Sequence, residues 1–120
     1  HPQAAQLSRQ EALRCRPVIN GSIRVENSSE GEVILEYPLP LKPFFLSLFQ
    51  RFQKKYEYPT KKLQLDEMGS HVWKYIDGHT SVKSMIEDFA KHYDVTRQEA
   101  EQSITAFLVE LGKRGIIAMR

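Results

Sequence analysis

Three internal histidines, His71, His79 and His92, and a single cysteine, Cys15, are the side chains from which a metal site or a nucleophile would be assembled. A zinc-type site needs several His, Cys or carboxylate donors converging on one point, and characteristic short spacings announce it. These histidines share no such spacing, and no Asp or Glu stands three or four residues from a second histidine in a recognised pattern. Cys15 lies in a polar leader with no histidine partner in view, and one cysteine builds neither a disulfide framework nor a thiolate metal site. Gly31, Gly69, Gly78, Gly112 and Gly115 form no phosphate-cradling run; each has a structural reading. No reaction, metal or cofactor is expected, and the chain reads as non-catalytic.

The chemistry that remains belongs to the backbone. "KKLQL", Lys61 to Leu65, reads as a short strand with Leu63 and Leu65 pointing the same way. An edge strand presents unpaired N–H and C=O groups, which an extended peptide can satisfy by adding as a further strand. Lys61, Lys62 and Gln64 would steer an acidic peptide, yet they are also what a protein uses to blunt an edge against aggregation. On this reading Leu63→Pro would remove an N–H from the edge.

A second surface lies on the last helix. Thr96 and Glu99 make a capping box, Gly115 is the expected stop, and Ala100, Ile104, Phe107, Leu108 and Leu111 form one stripe. Gln98, Gln102, Thr105 and Val109 fall nearly opposite, with Ala106 to one side and no charge until Lys113. A solvated helix back is normally rich in Lys and Glu, so this face suits covering by a partner. The plainer alternatives are packing on the N-terminal arm or mild surface.

The elements that must position these groups follow from the rest of the chain. Its 120 residues, 41% hydrophobic and 27% charged with a formal charge of +2, allow one compact domain. No apolar run approaches the ~20 residues a membrane span requires, and no signal segment opens the chain; a cytoplasmic location is expected. Residues 1–13 read as a mobile arm or a short helical turn, and residues 14–120 as one domain. Ile23 to Val25 and Glu32 to Tyr37 predict a hairpin through "ENSSEGE", closed off by Pro38 and Pro40. An aromatic stripe, Phe44, Phe45, Leu48, Phe49, Phe52 and Tyr56, predicts a helix at about 42–57, inserted before the third strand. Asp66 caps a helix with Met68, Val72 and Ile76 on one face and Gly78 as its left-handed stop. Thr80 or Ser81 starts another, with Val82, Met85, Ile86, Phe89 and Tyr93 inward, and "IIAM" is an apolar tail that could add a strand. The expected class is α+β, a small antiparallel sheet of three strands followed by three helices.

Leu65-Asp66-x-x-Gly69, Val72-Trp73, Asp77-Gly78, Thr80, Val82, Phe107-Leu108, Leu111 and Arg114-Gly115-Ile116 stand in the order found in the pyrroloquinoline-quinone biosynthesis protein D family. The stretch from Leu63 to Ile117 resembles that family. The resemblance implies a winged helix-turn-helix-like fold and a role as peptide recognition element, binding the leader of a ribosomally made precursor and presenting it to a radical modifying enzyme. It also implies that the peptide adds to the third strand, Lys61 to Leu65, and lies against the third helix, Arg97 to Arg114. The inserted helix departs from the compact members of the family.

A DNA-binding helix should aim basic or amide groups at phosphates and bases, whereas this one carries Glu99, Glu101 and Glu110 against Arg97, Lys113 and Arg114. The inserted helix, with Lys42, Arg51, Lys54, Lys55, Lys61 and Lys62 on or near it, could pack on the sheet, join two copies in a homodimer, dock a partner enzyme or lie at a membrane interface. Core packing or dimerisation is the plainer reading, and a purely structural dimeric role is the last alternative.

Overall fold

In the computed structural model, which describes residues 8–39 and 59–120, helices begin where a short polar side chain can hold an otherwise orphaned N–H. The expected helix from Pro43 to Tyr56 lies outside the described residues. The chain divides into two units, His1–Gly21 with Asp66–Arg120, and Ser22–Leu65.

In the first unit, Ser8 and Glu11 form a capping box that opens α1 (Arg9–Arg14), a short helix that begins in the segment read as a mobile arm or a short helical turn. Pro17–Ile19 is strand β1. Asp66 accepts from the Gly69 N–H to open α2 (Glu67–Trp73). Ser81 caps α3 (Val82–Tyr93), and the Thr96–Glu99 capping box opens α4 (Arg97–Lys113). Inward residues follow the helical period: Val82, Met85, Ile86 and Phe89 are buried on α3, and Ala100, Ile104, Leu108 and Leu111 on α4. Phe107 and Tyr93, expected on these stripes, are only half-buried. Met68 departs further, 46% exposed, because α2 turns Gly69, Val72 and Trp73 inward instead.

Gly78 is left-handed (φ 81°) as expected, but α2 has already ended at Trp73 and the glycine sits in the turn before α3. There the Asp77 carboxylate accepts the N–H groups of His79 and Thr80, each at 2.8 Å. A Cβ on Gly78 would lie 3.3 Å from the Val18 side chain, so both dihedral and space favour glycine. After α4, Gly115 (φ 73°) turns the chain into β5 (Ile117–Met119), which pairs antiparallel with β1, Ile19 opposite Ile117.

The second unit is a three-stranded antiparallel sheet in the order β2 (Arg24–Asn27), β3 (Val33–Pro38), β4 (Thr60–Gln64). Its hairpin closes through Ser28, whose N–H donates to Glu32 O at 2.8 Å, with Gly31 left-handed at φ 83°. Val33, Leu35 and Tyr37 alternate as the buried face of β3. The class is α+β with two small antiparallel sheets and four described helices; β1, the β1–β5 pairing and α1 add to the three strands and three helices expected.

Candidate functional site

The register of β3 against β4 decides which groups of β4 are available. Leu35 faces Leu63, Glu36 faces Lys62, and the Leu65 N–H donates to Val33 O at 2.8 Å. At the other end the Leu39 N–H donates to Pro59 O at 3.0 Å. In an antiparallel ladder hydrogen-bonded pairs alternate, so the N–H and C=O of residues 61, 63 and 65 turn toward β3. Those of Thr60, Lys62 and Gln64 turn away from it, toward an edge on which no described strand is paired. Leu63 is therefore not the residue that offers its N–H outward, contrary to expectation; Lys62 and Gln64 are.

The side chains divide by the same parity. Lys61, Leu63 and Leu65 share the face of Tyr37, Leu35 and Val33, and Leu65 is buried there. Thr60, Lys62 and Gln64 share the other face, where each meets an acid of the sheet or its hairpin turn. Lys62 Nζ lies 3.3 Å from Glu26, the Gln64 amide donates to Glu32 at 2.8 Å, and the Thr60 hydroxyl donates to Glu36 at 2.6 Å. These contacts fix side-chain positions and leave the outward backbone groups untouched. Of the two lysines, only Lys61 has no carboxylate partner among the described residues.

The helical residues form a separate surface. Gln98, Gln102, Thr105 and Val109 are all exposed on one side of α4, Val109 to 48%. The first three line an open depression of about 720 Å³ with Arg9, Arg97, Glu101 and Ala106. Arg9 grips Glu101 with a fork, Nε and Nη2 at 2.8 and 2.7 Å from its two oxygens. This contact holds the start of α1 beside the face, so the expected alternative of N-terminal packing is realised at that margin. Lys61 to Leu65 and the α4 residues belong to different units.

Charge on α4 is largely neutralised locally. Arg97 pairs with Glu87, Arg114 with Glu110 and Arg9 with Glu101, while Glu99 is spent on the cap. The Arg9 hydrogen bond pulls the Glu101 carboxyl below its usual range, and the bonds with Ser8 and Thr96 do the same for Glu11 and Glu99. Asp77 is lowered by the His79 and Thr80 N–H groups. A carboxyl depressed in the folded state binds fewer protons than in the unfolded chain. Its stabilisation is complete above the unfolded pKa and disappears as pH falls through the folded one. Thermal unfolding is therefore expected to shift to lower temperature as pH drops below the ordinary carboxylate range. Glu101→Gln, which cannot titrate, should flatten that dependence in part.

A cluster that sequence spacing kept apart sits between α2 and α3. His71 stacks on His92 at 4.0 Å between ring centroids, and its Nε2 lies 3.0 Å from Asp88. Tyr75 and Tyr93 meet the His71 ring edge-on. With its side chain only 12% exposed, His71 is a packed interhelical residue. The available signal was Asp88 and His92, one helical turn apart on α3. Among the described residues no group of three His, Cys, Asp or Glu is arranged to hold a metal ion.

A family model for coenzyme PQQ synthesis protein D (PqqD) matches residues 57–117, just over half of the 120-residue chain. The chain belongs to the PqqD family. The PqqD match begins ahead of β4 and runs through α2, α3 and α4, so the β4 edge and the exposed side of α4 fall within it, while Arg9 does not. The hairpin of β2 and β3 that supports β4 lies outside the PqqD match. No curated protein and no solved structure matches the chain. Among the described residues no helix is long and apolar enough to cross a membrane.

Proposed function

We propose that this PqqD-family protein is a non-catalytic peptide-binding partner, taking an extended segment of a ribosomally made precursor as an added strand on β4 and presenting it to a radical modifying enzyme. The observation that carries the reading is the β4 edge: outward N–H and C=O groups of Lys62 and Gln64 with no described partner, in a strand the family match includes. Lys61, without a carboxylate partner among the described residues, contributes positive charge, and Lys61 and the half-buried Leu63 supply the alternate side chains that would discriminate sequences, with Leu65 buried beside them. Gln98, Gln102, Thr105 and Val109 on α4 are a second proposed contact, amide-rich and without net charge. On this reading α2, α3 and α4 are the helices of a winged helix-turn-helix, used for protein rather than nucleic acid. Local pairing of Arg97 and Arg114 with acids leaves little free positive charge for phosphates.

Linear peptides selected from a displayed library on the immobilised chain provide the test. A binder is expected to shift the amide resonances of Lys62 and Gln64 and to slow their exchange with solvent. Binders that leave both amides unprotected would refute strand addition at β4.

A further inference from the structure

The sheet has a second open border. Ser28 donates to Glu32, and Glu26 stands opposite Ile34, which places the hydrogen-bonded pairs of β2 and β3 at residues 24, 26 and 28. Val25 and Asn27 therefore aim their N–H and C=O groups away from β3, and among the described residues nothing receives them. Every residue of β2 is exposed. Val25 is 50% exposed although it lies in register with Leu35, which is fully buried. A strand whose apolar residue and polar backbone are both left open is an incomplete pairing site.

Within its sequence, Arg24-Val25-Glu26-Asn27, the first three residues are complementary to themselves when reversed. We propose that β2 is a homodimer edge, pairing antiparallel with β2 of a second copy about a two-fold axis at Val25. In that register Val25 faces its own copy as a hydrogen-bonded pair, through the backbone groups that point outward. Arg24 then stands opposite Glu26 of the other copy, and Glu26 opposite Arg24, at non-hydrogen-bonded positions where side chains come closest. Neighbouring two-fold registers are excluded by charge: centred on residue 24 or 26, they set Arg against Arg or Glu against Glu. The interface is isologous and closes on itself, so it gives a dimer and not a filament. Lys62, already 3.3 Å from Glu26, lies on the same face and leaves that carboxylate room for a second cation. Three β2 residues a side make a weak contact, one that forms at high local concentration.

Arg24→Glu converts the strand to Glu-Val-Glu, and Glu26→Arg converts it to Arg-Val-Arg. Each variant repels its own copy in the proposed register, yet the two are complementary to each other. Sedimentation velocity on the full chain, up to about 1 mM, should show a wild-type dimer and roughly tenfold weaker self-association of either variant. The equimolar mixture should restore association to the wild-type level, and more salt should weaken it. Far-UV circular dichroism checks that each variant is folded. The rescue cannot arise from contacts inside one sheet, because each chain in the mixture still carries its own altered strand. A wild-type chain that stays monomeric overturns the proposal. So do variants that self-associate like wild type, or a mixture that does not associate. None of these outcomes touches peptide capture, which is read at the Lys62 and Gln64 amides.

Discussion

Lys62→Pro is expected to abolish capture of a strand-adding peptide with the protein still folded, whereas Leu63→Pro is expected to damage the sheet itself. The two positions are adjacent and differ in the direction of one N–H. At Lys62 it points to the open edge, so proline removes a donor that only a bound peptide would use, and its ring obstructs the approach. At Leu63 the N–H belongs to the ladder with Leu35, and losing it leaves a carbonyl of β3 without its donor. An orphaned group of that kind costs about 1–3 kcal/mol, a large share of a small domain's stability. Peptide affinity should fall at least about tenfold for Lys62→Pro, the equivalent of one lost hydrogen bond plus the clash. Lys62→Ala separates backbone from charge: it removes the Glu26 ion pair and keeps the N–H. Titration of a selected peptide by fluorescence anisotropy, beside thermal unfolding of each variant, measures both effects. Equal loss of binding in Lys62→Ala and Lys62→Pro would transfer the role from backbone to side chain.

That contrast shows where sequence reading stopped. The strand itself was legible, because Leu63 and Leu65 alternate with Lys62 and Gln64 and a helix cap follows at Asp66. The direction of each N–H was not. It is set by which pairs of the β3–β4 ladder exchange hydrogen bonds, a property of register that no side chain in β4 encodes. The same limit explains β1. Pro17–Ile19 is too short to show a period, and its partner Ile117–Met119 lies at the far end of the chain. Helix starts were easier because a cap is a local transaction. Asp66 with Gly69, and Thr96 with Glu99, act within three residues, so sequence spacing is enough to find them. Ser8 and Glu11 use the same device, which is why the short helical turn, one of the two readings of residues 1–13, forms there and runs on to Arg14. His71 and His92 meet only because α2 and α3 cross. Nothing in their spacing foretells a stack at 4.0 Å.

Ile104→Ala is expected to destabilise the protein by about 2–5 kcal/mol. Ile104 is 1% exposed, between Ala100 and Leu108 on the buried side of the helix, and truncation leaves a void that close-packed neighbours fill only partly. In a chain of this size the midpoint of thermal unfolding should drop by about 10 °C. Val109→Ala, only five residues further along the same helix, removes a side chain that is 48% exposed and should change stability by no more than about 0.5 kcal/mol. The pair thus divides α4 into a side that holds the protein together and a side that is exposed among the described residues. If the outward side is a peptide contact, Val109→Ala and Gln102→Ala weaken affinity with the unfolding midpoint unchanged. Ile104→Ala should lower the midpoint and leave the affinity of the folded fraction alone. Val109→Ala that unfolds the protein as readily as Ile104→Ala would mean that this face is already covered by the chain itself, and the second peptide contact would then have to be sought elsewhere.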